Sequence, residues 1–212
     1  MTNFLRLSFL VTIASLFLAA APVKKKKWIS LFDGKTLNGW KVGANAETFK
    51  VEDGAIAVNG KVAHLFYNGE AAAHNFKNFE LKLDIMTMPG SNSGVYIHTD
   101  YQDAGWPKKG YEVQVNNSHT DWRRTAGLYA VQDVKEAPAK DNEWFTMHIT
   151  VKDKHIKVSV NNKTVADYTE PENAVRDKGM EGRLLSSGTI ALQGHDPKSK
   201  VLYKNIMLKI LK

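Results

Sequence analysis

The 212-residue sequence contains no cysteine. Its fold therefore stands without disulfides, and no thiol is available to carry a lipid anchor. Helical periodicity almost disappears after the first 27 residues. There is no glycine-rich phosphate loop, no H-E-x-x-H and no nucleophile elbow, which removes the signatures of P-loop, zincin and α/β-hydrolase chemistry. No internal repeat occurs, and the only low-complexity stretch is a short run of lysines. The apolar run Leu7 to Leu18 is short for a membrane span and is ended by small residues and Pro22, which favours a cleaved signal over a retained anchor.

What stands at the N-terminus fits an export signal. Arg6 leads into that apolar run, and Ala19-Ala20-Ala21 forms an A-x-A-like cleavage motif ahead of Pro22. Residues 1–21 are expected to be a signal peptide, 22–27 a basic linker and 28–212 the folded domain. The mature protein is expected to be periplasmic or secreted, without integral membrane contact. Removing the signal leaves about 190 residues, enough for one substantial core. The formal net charge is +7, partly carried by Lys24-Lys25-Lys26-Lys27. That run would suit anionic polymers, but no nucleic-acid recognition motif accompanies it, and a solvated linker explains it equally simply. No nucleic acid is expected as a partner.

Downstream, short alternating or apolar segments recur: Thr48 to Val51, Ala55 to Val58, Phe79 to Met86, Gly94 to His98 and Tyr111 to Val115. Trp144 to Val151, His155 to Val160, Gly188 to Leu192 and Val201 to Leu211 continue the series. Turn pairs such as Asp53-Gly54 and Asn161-Asn162 separate several of them. Many short strands with frequent turns indicate an all-β fold, and the uneven spacing with long loops suits a jelly-roll β-sandwich better than a closed barrel. Asp167 to Ser187 reads as a long charged loop. His155 is expected on the surface, and His148 on the surface or in a cleft.

The segment Tyr111 to Asn116 carries the most chemistry. Alternation places Tyr111, Val113 and Val115 on one face and Glu112, Gln114 and Asn116 on the other. The polar face could be ordinary solvent-facing surface, or the floor of a site for a polyhydroxylated ligand. Val95 and Ile97 as core residues would put Tyr96 and His98 on the same face, and antiparallel pairing would gather all of these on one surface. Gly90-Ser91-Asn92-Ser93-Gly94 allows a tight backbone at that strand's start. His195 beside Asp196, at a later strand end, could be a base with its orienting carboxylate, a metal ligand or a loop histidine. Trp106, Trp122, Arg123, Arg124 and Tyr129 lie in neighbouring loops, where aromatic faces and guanidinium forks suit sugar rings. A retaining glycosidase needs two carboxylates about 5–5.5 Å apart. This strand offers one.

These motifs, in this order, resemble the 3-keto-disaccharide hydrolase domain family. The resemblance runs from Trp28 to Leu211 and is carried by Ile29-Ser30-Leu31-Phe32-Asp33-Gly34 with Leu37-Asn38-Gly39-Trp40. Asn92-Ser93-Gly94-Val95, Tyr111-Glu112-Val113-Gln114, Gly127-Leu128-Tyr129, Leu192-Gln193-Gly194-His195 and Lys204-Asn205-Ile206 follow. It implies a concanavalin A-like jelly roll with long loops over a concave face. It also implies cleavage of 3-keto-glycosides supplied by an upstream sugar C3 oxidoreductase. A ketone at C3 acidifies the C2 proton, so a base can remove it and expel the C1 substituent before water adds back. On that reading Glu112 or His98 is the base, and His195 assists the leaving group or binds a divalent cation. Gln114, Asn92, Tyr96 and Arg124 would bind substrate polar groups, with Trp106 and Tyr129 as ring contacts. The competing expectations are a lectin-like carbohydrate-binding module on the same sandwich, or a structural envelope protein.

Overall fold

The computed structural model describes residues 27–212, so the expected signal peptide and all but the last residue of the linker lie outside the described residues. Thirteen strands form among those described. They are β1 (Ile29–Ser30), β2 (Trp40–Val42), β3 (Phe49–Glu52), β4 (Ala55–Val58), β5 (Ala63–Tyr67), β6 (Phe79–Thr87) and β7 (Ser93–Thr99). β8 (Tyr111–Val115), β9 (Phe145–Lys152), β10 (His155–Val160), β11 (Lys163–Thr169), β12 (Thr189–Gly194) and β13 (Val201–Ile210) complete the set. They build an eight-stranded sheet, ordered β11-β10-β9-β6-β13-β4-β3 with β1 also on β13, and a five-stranded sheet, ordered β2-β5-β12-β7-β8. The two antiparallel sheets form the all-β jelly-roll sandwich expected from the strand pattern.

Local chemistry fixes the hairpins. Asp53 and Gly54 both take positive φ between β3 and β4, as do Asn161 and Asn162 between β10 and β11. Consecutive left-handed residues make the turn whose twist matches antiparallel strands, and Asn, Asp and Gly enter that conformation most easily. In the eight-stranded sheet one face packs inward: Phe79, Leu81, Leu83 and Ile85 of β6 are buried while Glu80, Lys82 and Asp84 are more open. Clean alternation of this kind made β6, β9 and β10 legible.

The five-stranded sheet differs. Every residue of β5, β7, β8 and β12 is buried. One face meets the core, and the other is roofed by the long loops before β8, after β8 and after β11. A strand covered on both faces loses its alternation, which is why Ala63-His64-Leu65-Phe66-Tyr67 escapes a period-two reading. β11 escapes for the opposite reason, being a polar edge strand. It ends at Thr169, so the charged loop starts later than expected and contains no helix. His148 lies on the outer face of the eight-stranded sheet, 3.0 Å from Glu80 Oε2, and has no part in a cleft. His155 is partly exposed and bonds Asp167 across its hairpin at 2.6 Å.

One strand departs from alternation at a critical place. His98 has φ of 55°, and the β12–β7 register shifts between Thr189 and Ala191. This turns the His98 ring away from the Tyr96 face and packs it against Phe79 (centroids 5.7 Å apart). Two glycines make room for the bulge. A Cβ on Gly110 would lie 2.1 Å from the Ile97 carbonyl oxygen, and one on Gly188 2.4 Å from that of Thr99. Gly110 also has φ of +80°. Gly110→Ala is therefore expected to cost about 2–4 kcal/mol of unfolding free energy, from overpacking plus backbone strain. Urea denaturation measures it, and a loss below about 0.5 kcal/mol, the ordinary surface range, would contradict the crowding.

Candidate active site

The outer face of the five-stranded sheet carries two rows of side chains. Register pairs Phe66 with Ala191, Ala191 with Tyr96 and Tyr96 with Glu112, so these four form one row across four strands. In the next row His64 faces Gln193, and Gly94 faces Gln114. Gly94 is where the rows interlock. A Cβ there would meet Glu112 Oε1 at 2.7 Å, so the missing side chain is the space into which the carboxylate leans.

Glu112 is met by donors from three elements. Tyr96 donates its hydroxyl to Oε2 at 2.7 Å, and Gln193 donates Nε2 to Oε1 at 2.7 Å. Arg183 donates Nη2 to Oε2 at 3.3 Å, with its guanidinium 5.2 Å from the Tyr96 ring centroid. Burial raises the Glu112 pKa above the usual glutamate value, and the attraction of Arg183 with the two hydrogen bonds only partly offsets it. Burial and the nearby Glu112 charge likewise push the Tyr96 hydroxyl well up, so it stays a proton donor.

Arg183 comes from the loop after β11, which is tied down at several points. Gly110 N donates to Gly182 O at 2.9 Å, Leu185 N to Glu170 Oε2 at 2.7 Å and Arg176 Nε to Arg183 O at 2.7 Å. His98 supplies a further tie. Its Nε2 donates to Lys77 O (2.8 Å) and its Nδ1 accepts from Ser186 N (3.2 Å). Both nitrogens are engaged, and burial lowers the ring's pKa. The expectation that His98 shares the Glu112 face and serves as a base is thus corrected: it is a buried neutral anchor of the Arg183 loop.

Around Glu112 lies a cleft of about 420 Å³, within the usual range for small-ligand sites. Of the residues expected from sequence, Asn92, Tyr96, Trp106, Gln114, Tyr129 and His195 line it beside Glu112. Trp106 is exposed and packs on His195 (5.4 Å between centroids) and His64 (5.7 Å). Tyr129 donates its backbone N–H to Glu112 O at 3.0 Å, and its ring lies 4.6 Å from the Arg123 guanidinium, which also covers Trp122. Arg124 is the second correction. Its guanidinium bonds His119 O (3.0 Å), Asp121 O and Asn116 Oδ1, and so closes the loop after β8 instead of lining the cleft. Asn116 belongs to the same clasp, donating to Asp121 O and Arg123 O.

Arg183 and Gln193 were not singled out from sequence. Arg183 sits in an irregular charged loop with no local signal. Gln193 could have been found: Ile190 and Leu192 face the core, so Ala191 and Gln193 must face the other way.

His195 Nδ1 lies 2.8 Å from Asp196 Oδ2, leaving Nε2 free of hydrogen bonds among the described residues. Burial opposes ionisation of Asp196, yet bonds from His195, Ser199 and Lys198 hold its carboxyl down at about 2. His119, His195 and Asp196 place potential metal-ligating atoms within 4.8 Å of one another. Both Asp196 oxygens already accept hydrogen bonds, and His119 Nδ1 accepts from Asp121 N at 3.0 Å. A divalent cation would have to replace some of these bonds. As it stands, Asp196 orients the His195 ring through Nδ1.

Three buried polar atoms on this face lack protein partners: Gln114 Oε1, Gln193 Oε1 and His64 Nε2. Each unpaired group of this kind costs about 1–3 kcal/mol. His64 is held neutral. Burial first, then the charges of Arg183 and His195, lower its pKa to about 3. Unfolded chains with an ordinary histidine take up a proton below about pH 6.5 that the folded site refuses. The His64 contribution is therefore fully present above pH 6.5 and is lost as pH falls toward 3. His64→Phe should flatten the pH dependence of unfolding free energy across that window, as measured by urea titrations. Parallel curves for the variant and the wild type would show that His64 is not held neutral.

Comparison with known proteins follows the same direction. The sequence matches the 3-keto-alpha-glucoside-1,2-lyase-like domain over residues 27–209. It is 30% identical to a Bacteroides thetaiotaomicron protein named 3-keto-disaccharide hydrolase, covering 90% of this chain and 80% of that one. A crystal structure from Parabacteroides distasonis, described as a candidate glycosyl hydrolase, superposes with a TM-score of 0.72 at 23% identity, covering 87% of this chain and 94% of that one. The carbohydrate-binding module CBM66 of Bacillus subtilis shares the fold at a TM-score of 0.56 and 14% identity, covering 81% and 95% of the two chains.

Proposed function

The chain belongs to the 3-keto-alpha-glucoside-1,2-lyase-like family, and from that premise we propose that it cleaves 3-keto-glycosides by elimination and rehydration. The observation that carries this reading is the single carboxylate on the cleft floor. Glu112 stands there beside Gln114, and β8 carries no second acid, where two-carboxylate glycosidases need one. Asp121 also reaches the cleft, but it belongs to the loop after β8 and accepts from Arg123 N at 3.0 Å.

The C3 ketone lowers the barrier to removing the C2 proton, so one well-placed base begins the reaction. Glu112 takes the C2 proton, the C2–H electron pair forms the enolate, and Arg183 stabilises the negative oxygen. The enolate then collapses to a C1–C2 double bond as the C1–O bond breaks. His195, oriented by Asp196, supplies the proton to the departing oxygen. Water adds at C1 and C2 regains a proton, so the sum of the steps is hydrolysis. The raised Glu112 pKa suits a base that must pick up a proton. Trp106 and Tyr129 offer faces for sugar rings.

The proposed substrate requires a preceding oxidation at C3, which calls for an upstream sugar C3 oxidoreductase in the same route. Export to the periplasm or beyond rests on the Leu7 to Leu18 run and the Ala19–Ala21 motif. No helix among the described residues is long and apolar enough to cross a membrane.

Glu112→Gln is expected to lower kcat/KM on a chromogenic 3-keto-glucoside by about 10²–10⁴-fold, and full retained activity would remove Glu112 from its role. For the wild type, the acidic limb of the kcat/KM profile should lie above the ordinary glutamate value of 4.5, because Glu112 must be ionised and its pKa is raised. Chelators are expected to leave turnover intact. A loss restored by a divalent ion would instead assign His119, His195 and Asp196 to a metal. Binding of plain glycans with no turnover of the keto sugar would favour a lectin-like module.

A further inference from the structure

The floor beside Glu112 contains two acceptors that the protein itself leaves unused. Gln114 and Gln193 are each only 1% exposed, both line the cleft, and the Oε1 atom of each lacks a partner among the described residues. Their orientations are fixed by hydrogen-bond logic. Gln193 Nε2 faces the Glu112 carboxylate at 2.7 Å and the Tyr96 oxygen at 3.2 Å. Arg183 and Tyr96 both donate to that carboxyl, which marks it as an acceptor, so Gln193 presents its amide nitrogen there and Oε1 points away.

Gln114 is set by a longer chain. The Asp121 backbone N–H donates to His119 Nδ1 at 3.0 Å, which makes that nitrogen an acceptor. Asn92 turns its Nδ2 toward the same atom at 3.5 Å and therefore presents Oδ1 to Gln114. Gln114 Nε2 donates to it at 3.0 Å, leaving Oε1 as the unpaired end.

We propose that Gln114 and Gln193 form a hydroxyl-recognition pair that sets the pose and specificity of the sugar ring. Each Oε1 accepts one O–H from the ring, on either side of the carboxylate that leans over Gly94. A ketone oxygen has no proton to give, so the oxidised carbon is excluded from both positions and is left to the Arg183 side. This assignment rests on the glycoside-cleaving reading for its ligand class, but it concerns recognition and holds for an unoxidised ring as well. The pair selects pyranosides that keep two free hydroxyls in that pose, and rejects analogues lacking either because a buried acceptor would then stay unpaired.

Ligand-observed NMR titrations of a plain glucoside and its 2-, 4- and 6-deoxy forms test this on the wild type, Gln114→Met and Gln193→Met. Two of the three deoxy analogues should bind the wild type about tenfold more weakly than the parent. Each of those losses should vanish in one variant and persist in the other, as a double-mutant cycle requires. Equal binding of every analogue, losses that persist in both variants, or no glucoside binding at all would overturn the pairing. Thermal unfolding checks that the variants fold, and the analogue series on the wild type decides the matter if one does not. Keto-sugar turnover is measured separately, so its absence beside an intact pairing pattern removes the reaction and leaves the recognition pair standing.

Discussion

Glu112 places its carboxyl where water scarcely reaches, and the donors that meet it set the positions of three separate elements. Tyr96 approaches along β7, Gln193 along β12 and Arg183 from the loop after β11. Burial raises the carboxyl's pKa in spite of them, so an ionised Glu112 depends on all three donors. Moving any one donor would leave a buried charge short of partners, which is among the more costly defects a protein can carry. Gly94 belongs to the same constraint, since any side chain there would occupy the space the carboxylate uses.

The fold serves this arrangement by asymmetry between its sheets. The eight-stranded sheet behaves as an ordinary half-buried surface with lysines, aspartate and glutamate outside. The five-stranded sheet is covered twice, by the core and by loops, so its outer face can hold polar groups away from solvent. Loops are then as necessary as strands. The clasp of Asn116 and Arg124 shapes the roof after β8, while His98, Glu170 and Arg176 fasten the roof segment that delivers Arg183.

This division explains what could be read from the chain alone. Strands with one wet face announced themselves by alternation, and the polar face of Tyr111–Asn116 with Tyr96 opposite was legible because period two fixes sidedness. His98 was misplaced because a single left-handed residue reverses that sidedness, and nothing in Gly94 to His98 signals it. The cause lies at Gly110 and Gly188, distant in sequence. Arg124 looked like a ligand fork because its partners are backbone carbonyls, which a sequence does not display. Arg183 was invisible for a related reason: its importance comes from where its loop is tied. Gln193 was within reach, since its core-facing neighbours already determined its direction.

The proposed reaction starts when the Glu112 face takes the proton from C2 of an oxidised sugar. A 3-keto-glucoside carrying deuterium at C2 tests it most directly, with turnover rate and label followed together in ordinary water. Proton abstraction at C2 gives slower cleavage of the labelled substrate and loss of deuterium from C2 to solvent. Cleavage at an unchanged rate with deuterium fully retained at C2 would contradict it and indicate direct displacement at C1.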